Sequence, residues 1–164
     1  MKKKTKRPQR VTGGYAALPW IVLDSVAYRG CSHPAKSLLI EIARQHDGYN
    51  NGHLQLSYPW LKSRGWSSNS VVQRARKNLE DRELIVCTRK GGFGIGPSRY
   101  AVTWHGIDNF QGLDISPNGY RQGAWTLLEP SNLSIQQASR RTATVPSEKL
   151  VYSPLVSLQS TVRA

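Results

Sequence analysis

Ser57-Tyr58-Pro59-Trp60-Leu61-Lys62-Ser63-Arg64-Gly65, followed by Trp66 and then Ser67-Ser68-Asn69-Ser70-Val71-Val72-Gln73-Arg74-Ala75-Arg76-Lys77-Asn78-Leu79-Glu80-Asp81, is the stretch whose reading decides the fold. A serine opens each segment and can accept a hydrogen bond from the free backbone N–H groups of a first helical turn. Gly65 ends the first segment, as expected where a chain leaves a helix with positive φ. The sequence therefore predicts a short helix over 57–64, a tight turn, and a second helix over 67–81. An apolar run, Leu84-Ile85-Val86-Cys87, follows and reads as a strand. A loop with four glycines, Arg89 to Arg99, then leads to a returning strand, Tyr100-Ala101-Val102-Thr103-Trp104. Two helices about a glycine turn, then a hairpin, form a helix-turn-helix with an appended β-ribbon.

Upstream, Ser32 to Asp47 is expected to be a helix. Ser32 can cap it, Pro34 is tolerated in its first turn, and Gly48 can end it. Ala35, Leu38, Leu39, Ile42 and Ala43 share one face at helical spacing. His33 then falls in the first turn and His46 at the C-terminal end. This is the scaffold helix of a three-helix core. Asn50-Asn51-Gly52 is a turn signal, and His53-Leu54-Gln55-Leu56 alternates as a short third strand. Ala16 to Tyr28 is read as a short helix or an extended segment packing onto the domain.

On a helical wheel advancing about 100° per residue, Val71, Val72, Ala75 and Leu79 face the core. Asn69, Ser70, Gln73 and Lys77 fall on the far side, with Arg74 and Arg76 at its flanks. Asn and Gln can pair bidentately with adenine, and flanking cations can grip phosphates. The N-terminal positions of such a helix reach deepest into a major groove. Ser68, Asn69, Ser70 and Gln73 are thus the expected base contacts. Lys62, Arg64, Arg74, Arg76 and Lys77 are the expected phosphate contacts, joined by Arg89, Lys90 and Arg99 at the root of the glycine loop. No acid interrupts this helix until Glu80 and Asp81, at its C-terminus. Trp60, Leu61 and Trp66 are read as packing residues.

The whole chain supports this direction. Of 164 residues, 23 are Lys or Arg and 10 are Asp or Glu, for a net charge of +13. Residues 1–104 hold 18 cations and 6 acids, a net +12, whereas residues 105–164 hold 5 and 4, a net +1. Segregated positive charge is the electrostatic footprint of nucleic-acid binding. Residues 1–12, rich in Lys and Arg, are expected to form a disordered basic arm that either solubilises the chain or tracks phosphates. Beyond Trp104 no helical period persists, and 28 of residues 105–164 are Gly, Pro, Ser, Thr, Asn or Gln. A weakly ordered or disordered tail over 107–164 is expected, able to recruit a protein partner. The folded domain is placed at 13–106.

Other chemistries find little support. The glycine loop lacks both the Gly-Lys-Ser/Thr of a phosphate loop and the G-x-G-x-x-G spacing, and its glycines read as pliability. Four His and two Cys form no metal-ligand spacing. Cys31 and Cys87 read as small core hydrophobes in a reducing compartment. The acids form no catalytic pair, so neither an enzyme nor a cofactor is expected. No signal peptide or membrane-spanning run is read, and a cytoplasmic, nucleoid-associated location follows.

Leu61, Gly65-Trp66-Ser67, Ser70-Val71, Ala75, Leu79-Glu80 and Leu84-Ile85 together resemble the winged-helix pattern of bacterial DNA-binding proteins. Asn50-Asn51-Gly52, Leu61-Lys62, Arg64-Gly65-Trp66 and Arg99 to Trp104 are similar to small helix-turn-helix proteins of phages, prophages and plasmids. The resemblance covers about residues 15–106. Glu83 stands where the family usually has Gly. The resemblance implies an α+β winged helix-turn-helix, a three-helix core with a small antiparallel β-wing sheet and flexible termini. It further implies a double-stranded DNA-binding regulator of a mobile element, possible as a homodimer on paired half-sites. Two alternatives stand beside it: a replication or partition factor that marks an origin and recruits partners through its tail, and a protein-interaction module that does not bind DNA.

Overall fold

The computed structural model describes residues 13–128, all of which lie in the first of two compact units, the chain dividing after Pro130. Five α-helices and three strands succeed one another: α1 (Trp20–Leu23), α2 (Val26–Arg29), α3 (His33–Ala43), β1 (Leu54–Gln55), α4 (Tyr58–Ser63), α5 (Asn69–Asp81), β2 (Ile85–Arg89) and β3 (Arg99–Val102). The strands form one antiparallel sheet in the order β1-β3-β2. Leu54 lies opposite Tyr100, and Ile85 opposite Val102. The result is a mixed α+β domain whose helices and small three-stranded sheet are compatible with the expected winged helix-turn-helix.

Helix α3 begins where its sequence dictates, with the Ser32 hydroxyl accepting from Ala35 N at 3.3 Å. It stops at Ala43, four residues short of the expected Asp47. The cause is local competition for the backbone. The Asp47 carboxylate accepts from the N–H groups of Tyr49 and Asn50, and Asn50 Nδ2 donates to Gln45 O at 2.7 Å. Gln45, released from the helix, donates to Gln55 O and accepts from Gln55 N, which anchors β1. His46 is therefore off the helix end, and its ring stacks on His105 with centroids 4.4 Å apart.

Helices α4 and α5 both end in the same hydrogen-bond pattern. After α4, Trp66 N donates to Leu61 O and Gly65 N to Lys62 O; after α5, Leu84 N donates to Leu79 O and Glu83 N to Glu80 O. This double bond closes a helix only if the residue after its cap takes positive φ. Gly65 does so at φ 93°, and Glu83 does so at φ 55°. Glutamate thus occupies a left-handed position, the one at which the resemblance led us to expect glycine.

Leu38, Leu39 and Ile42 of α3 meet Val72, Ala75 and Leu79 of α5 in the core, which Leu61, Leu54, Ile85 and Tyr100 extend across α4 and the sheet. Val22 and Ala27, from the two single-turn helices expected only as a short packed segment, are fully buried there. Asn50-Asn51-Gly52 is more than a turn. Asn51 is 1% exposed; its amide donates to Val102 O, His105 O and Gly106 O and accepts from Val102 N.

The expected domain end at 106 is too early. Gly123 N donates to Thr103 O, the Tyr120 hydroxyl donates to Val102 O and His105 O, and Trp125 is 7% exposed within the core. Two 3₁₀ turns, Pro117–Gly119 and Ala124–Leu127, shape this extension. Periodicity could not announce it because it packs through single aromatic anchors rather than a repeating face. The expected arm at 1–12 and the remainder of the expected tail lie outside the described residues.

Candidate nucleic-acid interface

Helix α5 is held by Val72, Ala75 and Leu79, all buried, which turns the opposite face outward. Asn69, Ser70, Gln73, Arg74 and Lys77 are exposed, while Val71 is only half-buried. Tyr58 supports the turn before α5 by donating its hydroxyl to Ser67 O at 2.9 Å. Among the four residues expected to touch bases, Ser68 has a structural task. It is the N-cap: its hydroxyl accepts from Val71 N at 3.5 Å and lies 2.9 Å from Ser70 Oγ. Asn69 Oδ1 accepts from Gln73 Nε2 at 3.3 Å. The three remaining candidates, Asn69, Ser70 and Gln73, form one exposed polar strip.

The eight expected phosphate contacts divide into groups. Arg76 is built into the fold. Its guanidinium donates to Gln73 Oε1 (3.1 Å), Glu80 Oε1 (3.2 Å) and the Tyr100 hydroxyl (3.3 Å). Lys77 pairs with Asp81 at 3.5 Å, and Arg64 with Glu41 at 3.1 Å. Arg89 donates to Ile95 O at 2.7 Å, and Arg99 lies 2.7 Å from His53 Nδ1. Those two bonds fix side chains without cancelling charge. Lys62, Arg74 and Lys90 are exposed and enter no ion pair among the described residues. The i,i+4 pairs on α5 are a signal that the sequence carries, since Arg76–Glu80 and Lys77–Asp81 are spaced for them. Six cations of the basic arm, at positions 2–10, lie outside the described residues.

Helix and hairpin share one side of the molecule. A cleft of about 270 Å³ has Gln73 and Arg76 on one wall and Pro97 and Ser98 of the hairpin loop on the other. Glu80 reaches this cleft through its ion pair with Arg76. Burial raises the Glu80 carboxyl above its ordinary value despite the nearby Arg76 guanidinium, and burial likewise raises the Tyr100 hydroxyl. Asp114, in the extension that composition left unstructured, accepts from Lys90 N at 2.8 Å and donates its own N–H to Thr88 O. It clamps the edge of β2 at the hairpin root.

Neither cysteine is arranged for chemistry. Burial pushes the Cys31 thiol up to about 11, and it donates to Ala27 O; Cys87 is half-buried and also raised by burial. Among the described residues, no three His, Cys, Asp or Glu side chains are grouped to hold a metal ion, and no helix is long and apolar enough to cross a membrane. Comparison with protein-family models, with curated proteins and with solved structures finds no match. What the domain itself presents is a short helix opened by Ser57 without a side-chain cap bond, a glycine turn, a longer helix with an exposed polar N-terminal half, and a cationic hairpin.

Proposed function

We propose that the chain is a sequence-specific double-stranded DNA-binding protein of winged helix-turn-helix type, acting as a transcriptional regulator of a mobile element. Helix α5 enters the major groove, with Asn69, Ser70 and Gln73 reading base edges. Lys62 and Arg74 grip the groove walls, and the hairpin, carrying Arg89, Lys90 and Arg99, lies on the flanking backbone. Its role is binding, not catalysis. The observation that carries this reading is the outward half of α5, where three amide or hydroxyl side chains stand exposed beside Arg74 with no acid among them.

Selection of bound fragments from random and genomic DNA tests the proposal. A recurrent motif is the expected result, and a twofold-symmetric motif would mean that a dimer binds. Sites overlapping the chain's own promoter fit regulation, whereas repeated sites at an origin would replace the regulator with a replication factor. Recovery of fragments without any shared motif would overturn sequence-specific recognition.

A further inference from the structure

The hairpin loop is a built structure, not the pliable strap that its glycines led us to expect. Gly92 and Gly96 form a bridge through Gly92 N to Gly96 O (3.0 Å), and Ile95 N donates to Gly92 O at 3.1 Å, closing a turn over Phe93 and Gly94. Behind it, Arg89 donates to Ile95 O and Gly91 N donates to Ser98 Oγ at 2.9 Å. A Cβ on Gly91 would stand 2.4 Å from Ser98 N, so the two arms approach as only glycine permits. The turn lifts Phe93 to its apex, where the ring is fully exposed, with Ile95 60% exposed beside it. An exposed phenylalanine and isoleucine on a braced turn need an explanation, because no described residue covers them.

Resting on the DNA-binding reading above, we infer that Phe93 and Ile95 form an apolar wedge that enters the minor groove, partly unstacks a base step and bends the duplex. The occupant is chosen by chemistry. The loop from Arg89 to Arg99 contains three cations and no acid of its own, and with the Asp114 carboxylate at its root it stays net positive, which suits a polyanion. Its tip is apolar, which suits the interior of a base stack, and aromatic or aliphatic wedges on cationic minor-groove elements work in this way. The wedge also sits on the hairpin that shares a cleft with Gln73. An anionic lipid surface would meet the same charge, but two side chains offer it little apolar area, and it gives no role to α5.

End-to-end fluorescence energy transfer across a mixed-sequence duplex of about 30 base pairs, saturated with full-length chain, tests the inference. The wild-type chain is expected to shorten the end-to-end distance. Phe93→Ser combined with Ile95→Ser, both far from the core, should abolish that shortening, weaken binding about tenfold and preserve its salt dependence. If the wild-type chain does not bind the duplex, the DNA reading fails and the wedge with it. If it binds without bending, or if the double variant still bends, the wedge is overturned while DNA binding stands. Two other results would also overturn it: a double variant that changes oligomeric state but still bends DNA, and vesicles containing phosphatidylserine that bind the wild-type chain while the duplex is left straight.

Discussion

The two halves of α5 carry similar residues and do different work. In the first half, Asn69, Ser70, Gln73 and Arg74 face outward, and their hydrogen bonds join neighbours on the helix. In the second, every cation has a task in the fold. Arg76 bridges Glu80 and Tyr100, and Lys77 pairs with Asp81. Arg82, immediately after the helix and 5% exposed, donates to Ala27 O at 3.2 Å and Val26 O at 3.5 Å, capping the end of α2. Residue type alone does not separate binding cations from structural ones. A carboxylate one helical turn away, or a set of carbonyls within reach, decides which a cation becomes.

The largest effect that tests this contrast is expected at Arg82. Replacing it with Ala removes two hydrogen bonds from a buried guanidinium, leaving Val26 O with Gly30 N and Ala27 O with the Cys31 thiol, and should cost about 2–3 kcal/mol of stability, read by urea denaturation. A loss of DNA affinity in Arg82→Ala without loss of stability would break the division between the halves. At the other end, Gln73→Ala should shift stability by no more than about 0.5 kcal/mol. It should instead relax preference at one base pair by about 1–3 kcal/mol, measured on a panel of single-base variants of the selected site. Equal weakening on every variant would remove Gln73 from base recognition.

Smaller changes sharpen the picture of the second half. Glu83→Gly relieves a side chain held at φ 55° and should raise stability by about 0.5–1 kcal/mol, after allowance for the freer unfolded chain. Thermal melting would show it, and DNA affinity should not move. Glu80→Gln should change stability at neutral pH by no more than about 0.5 kcal/mol, because a half-exposed ion pair contributes little. The pH dependence has a definite sign. Burial raises the Glu80 carboxyl above its ordinary value of 4.5 in the folded chain. The folded state therefore holds that proton more tightly than the unfolded one, a contribution present below 4.5 and lost as pH rises through the raised value. Glu80→Gln should abolish that part of the stability profile.

Much of the frame was legible because it is written in local chemistry. Ser32 caps α3 through its hydroxyl, Gly65 takes the left-handed turn, and the core face of α5 follows helical spacing. The other two caps differ from expectation: Ser57 opens α4 without a side-chain cap bond, and Ser68, not Ser67, caps α5. What escaped the sequence depends on long-range partners. Asn51 looks like a turn residue until β3 is placed beside it, where its amide holds Val102. Tyr120 and Trp125 lie in a polar stretch without period, yet they join the core by single insertions. In the candidate site, the exposed polar strip could be read from the wheel. The commitment of Arg76 could be read only in part: Glu80 stands four residues on, but Tyr100 comes from another element. The braced apex under Phe93 was hidden because four glycines look alike whether they loosen a loop or let its arms close.

The most direct test of the account is the salt dependence of duplex binding by the full-length chain, set beside Arg74→Ala and Arg76→Ala. With Lys62, Arg74, Arg89, Lys90 and Arg99 meeting about five phosphates, log K should fall against log salt with a slope of about −4.5. Arg74→Ala should reduce the magnitude of that slope by about one, and Arg76→Ala, already bound to Glu80 and Tyr100, should leave it unchanged. A flat dependence in the wild-type chain would contradict DNA binding itself. Equal losses in the two variants would contradict the division of α5 into a reading half and a structural half.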